Sequence, residues 1–322
     1  MNPFLGLIED DLSRFELRLD QALHADVELV HEIARYMATL KGKRLRPALA
    51  LLGAKASGPW DERIIDAAVS VEMIHAATMI HDDVIDSATL RRGKASVNSH
   101  WTGQIAVLMG DFLLSRALSI LTELDNIRAL QIVARATERL SQGEIYEIQI
   151  SEQTDTREAS YFSMVSDKTA SLIAAACQLG PILGGADDHV IDSMGKYGEA
   201  LGTAFQIADD ILDFTSDADT LGKPVGHDLR EGKITLPLIH ALQAAPEAAR
   251  SDMETLLKRP DKGEADWRAL VAFVEEYDGV AAASDTARHL AAQGQQCLEV
   301  LAPSEARAAL ELAVKLVVER DN

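Results

Sequence analysis

Apolar residues recur along this chain at three- and four-residue intervals, as in Val27, Val30, Ile33, Ala34 and Met37. Strict alternation over five or more residues is hard to find. The spacing places apolar side chains on one face of a helix and therefore predicts an all-α chain. The predicted helices span about 5–23, 25–40, 46–57, 61–86, 101–122, 126–150, 157–184, 188–216, 233–245, 247–257, 264–278, 280–300 and 303–319.

Helix ends coincide with glycine and proline, for example at Pro246, Pro260 and Pro303. We expect Pro181 to end or kink the helix that contains it, because proline removes a backbone hydrogen bond. No linker rich in Ser, Gly or Pro divides the 322 residues, and no short-period repeat is present. We therefore expect a single domain over residues 1–322.

Three aspartates, Asp82, Asp83 and Asp86, interrupt an apolar helical run. On a helix, residues three and four apart share a face, so the oxygens of these carboxylates converge. Converging carboxylates repel unless a hard divalent cation lies between them, and oxygen ligands of this kind suit magnesium. The same spacing returns in a second cluster, made of Asp209, Asp210 and Asp213. The apolar residues around both clusters favour a ligand site over a solvated helix end.

Basic and polar residues accompany both clusters at positions from which they could bind an anion. Lys43 and Arg46 begin a predicted helix, where backbone N–H groups also favour anions. The basic segment Arg91-Arg92-Gly93-Lys94 follows the first aspartates by one loop. The remaining candidates are His75, two turns before Asp82; Gln206, on the face of Asp209; and Arg91, Arg92, Lys168, Thr169, Lys223 and Lys233.

Composition narrows the possible partners. Apolar residues make up 47% of the chain and charged residues 25%, which is typical of a globular protein. The formal net charge of -20 argues against nucleic acid or an anionic membrane as the main partner. Cys177 and Cys297 have no metal-ligand spacing, and the N-terminus has no signal-peptide pattern. No uninterrupted apolar run reaches about 18 residues, so we expect a cytoplasmic protein.

The order and spacing of these motifs resemble the trans-type isoprenyl diphosphate synthases, or polyprenyl synthetases, and among them the long-chain octaprenyl and decaprenyl enzymes. The resemblance covers nearly the whole chain. It rests on Gly42-Lys43-Arg44-Leu45-Arg46-Pro47, His81-Asp82-Asp83-Val84-Ile85-Asp86, Arg91-Arg92-Gly93, Lys168-Thr169, Gly202-Thr203-Ala204-Phe205-Gln206, Asp209-Asp210-Ile211-Leu212-Asp213, Leu221-Gly222-Lys223 and Glu231-Gly232-Lys233. The resemblance implies one large helical bundle of the isoprenoid synthase type with a central cavity.

The resemblance also implies a role for each candidate residue. Two or three Mg²⁺ ions would bridge diphosphate to the aspartates of both clusters, which are Asp82, Asp83, Asp86, Asp209, Asp210 and Asp213. The diphosphate of isopentenyl diphosphate would be bound by Lys43, Arg46, His75 and Arg92. The allylic diphosphate would be surrounded by Arg91, Lys168, Thr169, Gln206, Lys223 and Lys233. The reaction would condense isopentenyl diphosphate with farnesyl diphosphate or a similar allylic primer.

Product length is expected to depend on the helix that carries the first cluster. The family often has an aromatic residue five positions before the first aspartate in short-chain enzymes, where this chain has Ala77, preceded by Met73 and Ile74. The resemblance therefore predicts a long all-trans product of roughly eight to ten five-carbon units in an apolar tunnel, as in quinone side chains such as that of ubiquinone. It also implies a homodimer, with at most transient membrane contact through the product.

Apart from a shorter-chain synthase of the same family, other interpretations account for less of the chain. A shorter-chain farnesyl or geranylgeranyl synthase shares the same motifs. A ferritin-like di-metal protein would use the Glu-x-x-His pairs at Glu28 and Glu72, but it leaves the aspartate clusters unexplained. A non-catalytic partner subunit tends to lose one cluster, whereas both are present. A terpene cyclase usually mixes Asn, Ser and Glu in its second metal motif.

Overall fold

Nearly all regular structure in this chain is helical. The computed structural model describes residues 6–40, 42–91, 93–215 and 226–319, so the candidates Arg92 and Lys223 lie outside the described residues. Numbered in chain order, the helices are α1 Glu9–Ala22, α2 Glu28–Ala38, α3 Leu45–Ser57, α4 Arg63–Ile85, α5 Val97–His100, α6 Gly103–Glu123, α7 Ile127–Gln153, α8 Glu158–Val165, α9 Ser171–Leu183, α10 Asp188–Thr215, α11 His227–Arg230, α12 Leu236–Ala244, α13 Glu247–Leu257, α14 Glu264–Glu276, α15 Gly279–Cys297 and α16 Glu305–Val318. The prediction of an all-α chain is confirmed.

Contacts between residues divide the chain into two compact units. The first unit comprises Met1–Thr137, Leu172–Gly195 and Leu298–Glu311, and the second comprises Glu138–Ser171, Lys196–Cys297 and Leu312–Asn322. The expectation of one domain over the whole chain stays a prediction.

The first unit is organised around α4. Apolar side chains occur on all faces of this helix, and most of them are buried, which is the pattern of a core helix. Helix α6 packs along α4, and Gly110 of α6 makes close approach possible. A Cβ at Gly110 would lie 2.2 Å from the His81 Nε2 atom of α4. The first aspartate cluster thus lies at the C-terminal end of a core helix of its unit.

The second unit has its own apolar core, built from α8, α10, α12, α14 and α15. The fully buried aromatic side chain of Tyr161 and the apolar side chains of Ile207 and Leu236 belong to this core. They fix the last turns of α10, which carry the second aspartate cluster. Each cluster therefore lies at the C-terminal end of a helix, where the helix dipole adds further negative potential.

Short departures from the α-helix lie beside candidate site residues. An antiparallel pair of two-residue strands, Leu90–Arg91 and Lys94–Ala95, follows the first cluster and pairs Leu90 with Ala95. Between α8 and α9 the helix widens into a π-turn over Ser166–Ala170, in which the Ser171 N–H donates to the Ser166 carbonyl five residues earlier. Helix α9 then ends at Leu183, two residues beyond Pro181.

Two helices are long and apolar enough, by length and composition alone, to cross a membrane. They are Arg63–Ile85, 67% of whose most apolar window is buried, and Gly103–Glu123, with 39% buried. Core helices of soluble proteins pass the same test, so this observation is weak evidence for a membrane span.

Candidate active site

The first aspartate cluster presents its three carboxylates to different surroundings. Asp82 is half-buried and Asp86 is exposed, whereas the Asp83 residue is only 5% exposed. The Asp83 carboxylate accepts from Arg91 Nε at 2.9 Å and Nη2 at 2.8 Å. Burial raises the pKa of Asp83, although Arg91 opposes this shift. The carboxylates of Asp82 and Asp86 therefore remain at the surface. The Asp83 carboxylate binds Arg91 and so holds the strand that follows the helix.

The backbone beneath this cluster is held by Asn98, which the motif pattern did not single out. Its Nδ2 donates to the carbonyls of Asp83 at 3.0 Å and Ala88 at 3.1 Å. These two carbonyls belong to the end of α4 and to the turn after it. Asn98 therefore fixes the backbone at the point where the chain leaves α4. A local hydrogen bond of this kind has no signature in hydrophobic periodicity.

The two arginines of the basic motif before α3 differ in their partners. Arg44 adopts a left-handed conformation with φ 51° and donates to Glu16 at 2.8 Å and Glu72 at 2.6 Å. Arg46 lies in the first turn of α3, and its buried Nε has no hydrogen-bond partner among the described residues. Burial lowers the pKa of Arg46, with partial compensation from Glu72. Lys43 is exposed. A buried guanidinium N–H without an acceptor fits an anionic ligand.

The second cluster repeats the arrangement of the first. Asp209 is exposed, Asp213 is half-buried and Asp210 is only 3% exposed. The Asp210 carboxylate accepts from Tyr161 Oη at 2.6 Å and from Gln206 Nε2 at 2.9 Å. Burial raises the pKa of Asp210 to about 8, even though both of these hydrogen bonds oppose the shift. The middle aspartate is again turned into the protein.

The last aspartate of the second cluster organises the following segment. Asp213 accepts from the backbone N–H groups of His227 and Asp228, both at 3.1 Å. This arrangement brings a further carboxylate, Asp228, beside the cluster. Burial, followed by repulsion from Asp213, raises the pKa of Asp228 to about 6.

A cavity of about 130 Å³ in the second unit is lined by several predicted diphosphate ligands, namely Lys168, Gln206 and Lys233, together with Asp210 and Asp228. Thr169 Oγ1 donates to Gln206 Oε1 at 2.9 Å, which links it to the same group. The structure thus gathers residues that are far apart in sequence around one cavity. Their roles in binding stay predictions.

Lys168 is the most enclosed cation of this group. Its Nζ lies 2.7 Å from Glu144 and 2.6 Å from Glu147, and its side chain is 22% exposed. Burial disfavours the ammonium, but Glu147 and Glu144 outweigh it and raise the pKa of Lys168 above its usual value. Neither glutamate stood out in the sequence, because both look like solvated positions of a long helix. The i, i+3 spacing of the two carboxylates was the available signal.

The donor set fits magnesium held jointly by protein and diphosphate. Within the described residues, no group of three or more His, Cys, Asp or Glu side chains is placed to hold a metal ion by itself. Mg²⁺ commonly takes one or two carboxylates and completes its octahedron with water and substrate phosphate oxygens. The outer aspartates Asp82, Asp86 and Asp209 are carboxylates of that kind.

The residues proposed to set product length lie on α4, before the first cluster, and their side chains are buried. Ala77 is completely buried, and Ile74 and Met73 are each only 1% exposed. Thr78, which lies nearer the aspartate face, is half-buried. Because Ala77 is fully buried, a larger side chain there would have to displace its neighbours.

Comparison with known proteins identifies the family of this chain. The polyprenyl synthetase family model matches residues 27–274. An octaprenyl diphosphate synthase of Haemophilus influenzae is 34% identical, covering 98% of this chain and 95% of the relative. A geranyl-diphosphate-specific all-trans-nonaprenyl-diphosphate synthase of Rhodobacter capsulatus is 35% identical, covering 98% and 97%. Relatives at this level also include a short-chain synthase.

Among solved structures, a polyprenyl synthase of Caulobacter crescentus superposes with a TM-score of 0.92. It is 34% identical, and the match covers 99% of this chain and 97% of that one. That crystal structure holds calcium and isoprenyl diphosphate. This chain belongs to the polyprenyl synthetase family. It is an enzyme of the prenyltransferase class that elongates isoprenyl diphosphates.

Proposed function

We propose that this enzyme uses Mg²⁺ to condense isopentenyl diphosphate repeatedly with farnesyl diphosphate or a similar allylic primer, giving a long all-trans polyprenyl diphosphate of octaprenyl to decaprenyl length. Such a product would serve as a quinone side chain. The observation that carries the proposal is the shared arrangement of the two clusters. In each, the middle aspartate is buried and hydrogen-bonded, and the first aspartate remains accessible to a metal-bound diphosphate.

The candidate ligands among the described residues fall into two groups, one for each diphosphate. Lys43, Arg46 and His75 of the first unit would bind isopentenyl diphosphate, with the unpaired Nε of Arg46 supplying a charge-assisted hydrogen bond. Lys168 and Lys233, which line the cavity of the second unit, would bind the allylic diphosphate. Arg91 would have to exchange part of its contact with Asp83 for such a ligand.

Bond cleavage in this reaction places negative charge on the leaving diphosphate. Bound Mg²⁺ would supply Lewis-acid stabilisation of that charge. Asp82 and Asp86 would hold such an ion at the first cluster, and Asp209 would hold another at the second. Lys168 would act in the same direction, because its charge is fixed by two carboxylates before substrate arrives. The buried apolar side chains around the active site would exclude water from the allylic cation. The departing diphosphate is the simplest acceptor for the released proton.

Removal of divalent metal tests the catalytic part of the proposal. Protein treated with chelator should lose incorporation of labelled isopentenyl diphosphate, and Mg²⁺ should restore it. Asp82→Asn and Asp209→Asn should each need more Mg²⁺ for half-maximal rate. Full activity in excess chelator would contradict the proposed metal dependence.

Substitution at Ala77 tests the long-chain part separately. Ala77→Phe adds an aromatic ring at a fully buried position of α4, so the dominant product should become shorter. Ala76→Phe is a matched control on the same helix, at a half-buried position. Unchanged product length in Ala77→Phe would remove Ala77 as a determinant, and a short product from the unmodified enzyme would favour a farnesyl or geranylgeranyl synthase.

The proposal includes a cytoplasmic homodimer. Helix α6 supports the dimer because it exposes large apolar side chains, with Val107 40%, Leu108 59% and Leu118 48% exposed. A second copy covering this face would remove that apolar area from water. Light scattering of the purified protein should give the dimer mass, and Leu108→Glu should shift it towards the monomer.

A further inference from the structure

The π-turn between α8 and α9 carries two of the residues assigned to the allylic diphosphate. Lys168 and Thr169 are the third and fourth of its five residues. A π-turn inserts one residue into the helical ladder, so the side chains that follow are rotated by about 100° from their positions in an unbroken α-helix. The direction of Lys168 and Thr169 therefore depends on whether this turn is kept.

Helix α7 approaches the π-turn more closely than any side chain would permit. A Cβ added at Gly143 would lie 2.4 Å from Lys168 N, 2.8 Å from Lys168 Cα and 2.9 Å from the Asp167 carbonyl carbon. All three are backbone atoms, which cannot rotate away as the end of a side chain can. Gly143 is thus a contact point between two backbones, and the turn would have to move if the glycine were replaced.

One turn earlier on α7, the Arg139 side chain binds the first two residues of the same π-turn. Its Nε donates to Asp167 Oδ1 at 2.7 Å, and its Nη2 lies 2.7 Å from Ser166 Oγ and 3.2 Å from the Ser166 carbonyl. The same Nη2 is 2.7 Å from Glu199 Oε1 on α10, which also accepts from Ser166 Oγ at 2.9 Å. The planar guanidinium fork suits this set of acceptors, and a lysine ammonium could not reach all of them.

Resting on the proposed function, we infer that Arg139 and Gly143 are positioning residues for the allylic diphosphate. They hold the π-turn against α7 so that Lys168 reaches the cavity beside Glu147 and Thr169 reaches Gln206. Neither residue touches the cavity, since neither is among the residues that line it. They act through the backbone that carries the binding groups.

Two substitutions in the full-length enzyme test this role. Gly143→Ala introduces the backbone conflict, and Arg139→Lys keeps the charge but removes the fork. Both should raise the KM of the allylic diphosphate and the dissociation constant of a non-ionising thiolo analogue of farnesyl diphosphate, by between about ten- and a hundredfold. The KM of isopentenyl diphosphate should stay within about twofold, because its predicted ligands Arg46 and His75 lie on α3 and α4.

Matched controls separate positioning from loss of fold. Gly294→Ala also places a Cβ in a helix interior, but its nearest contacts, Val314 and Ala200, are side-chain atoms 3.3 and 3.5 Å away. Arg135→Lys changes an exposed residue of α7. Both controls should bind the analogue like the unmodified enzyme, and circular dichroism should show equal helix content in all variants.

Each outcome decides between the possibilities. Weaker analogue binding in both test variants, with controls unchanged, supports the inference. Unchanged binding by folded test variants of an active enzyme overturns it while leaving the proposed function standing. If Gly143→Ala lost its helical signal, Arg139→Lys alone would decide. An unmodified protein that neither turns over nor binds the analogue refutes the proposed function and the inference with it.

Discussion

Arg46 and Arg44 lie two residues apart, yet the structure predicts opposite consequences for their removal. Arg46 has a buried Nε without a hydrogen-bond partner among the described residues, and burial lowers its pKa. An unsatisfied buried donor costs about 1–3 kcal/mol, so Arg46→Met should leave the free energy of unfolding unchanged or raise it by up to that amount. A binding group that destabilises the free enzyme is a common feature of active sites.

The same substitution should weaken binding of isopentenyl diphosphate. Charge-assisted hydrogen bonds contribute about 1.5–3 kcal/mol, which corresponds to a roughly ten- to hundredfold increase in KM. Steady-state kinetics with varied isopentenyl diphosphate and saturating allylic primer measures this increase. Urea unfolding of the same preparation, at fixed protein concentration, measures the stability.

Arg44→Met is the matched comparison. The Arg44 guanidinium is hydrogen-bonded to Glu72, which is only 8% exposed, so its loss removes the ion-pair partner of a buried carboxylate. Breaking such a pair costs about 3–5 kcal/mol, whereas the more exposed Glu16 adds at most about 1 kcal/mol. The Arg44→Met/Glu72→Met double variant should recover most of the stability. Equal destabilisation by Arg44→Met and Arg46→Met would refute this division of roles.

Three further predictions concern the aspartate clusters. Asp209→Asn should lower kcat on the order of a hundredfold in steady-state assays. Asp210→Asn should lower kcat less than about tenfold, because an amide can still hydrogen-bond to Tyr161. The reverse order would contradict the assignment of the outer aspartate to the metal. Tyr161→Phe should lower the urea midpoint, since it removes a 2.6 Å hydrogen bond and leaves an oxygen of the buried Asp210 side chain unsatisfied, which costs about 1–3 kcal/mol. Arg91→Met should reduce the free energy of unfolding by about 3 kcal/mol, because it leaves buried Asp83 unpaired; a change below about 1 kcal/mol would count against that pairing.

The sequence was sufficient for the longer helices and for the position of the clusters, whereas the four-residue helices α5 and α11 were not predicted. Apolar periodicity and flanking proline predicted the helix over 247–257 with the bounds that the structure has for α13, Glu247–Leu257. The carboxylate spacing placed both clusters on helices, because spacing along one element is a local property. Local information of this kind is fully present in a single chain.

What the sequence could not supply is the direction in which each side chain points. Asp83 and Asp210 look equivalent to their neighbours in the motif, and only the tertiary structure brings Arg91 and Tyr161 to them. The π-turn was missed for a related reason. A one-residue widening within Ser166–Ala170 leaves the apolar period on either side nearly intact, so the pattern predicted one continuous helix.

The most direct test of the central claim is product analysis with the unmodified enzyme. Labelled isopentenyl diphosphate, farnesyl diphosphate and Mg²⁺ would be incubated with it, and the dephosphorylated products separated by chromatography. We predict a ladder that ends in one dominant chain of roughly eight to ten five-carbon units, consistent with the small side chain at Ala77. A product that stops at farnesyl or geranylgeranyl length would contradict the long-chain proposal, and no incorporation with any allylic primer would contradict the catalytic account.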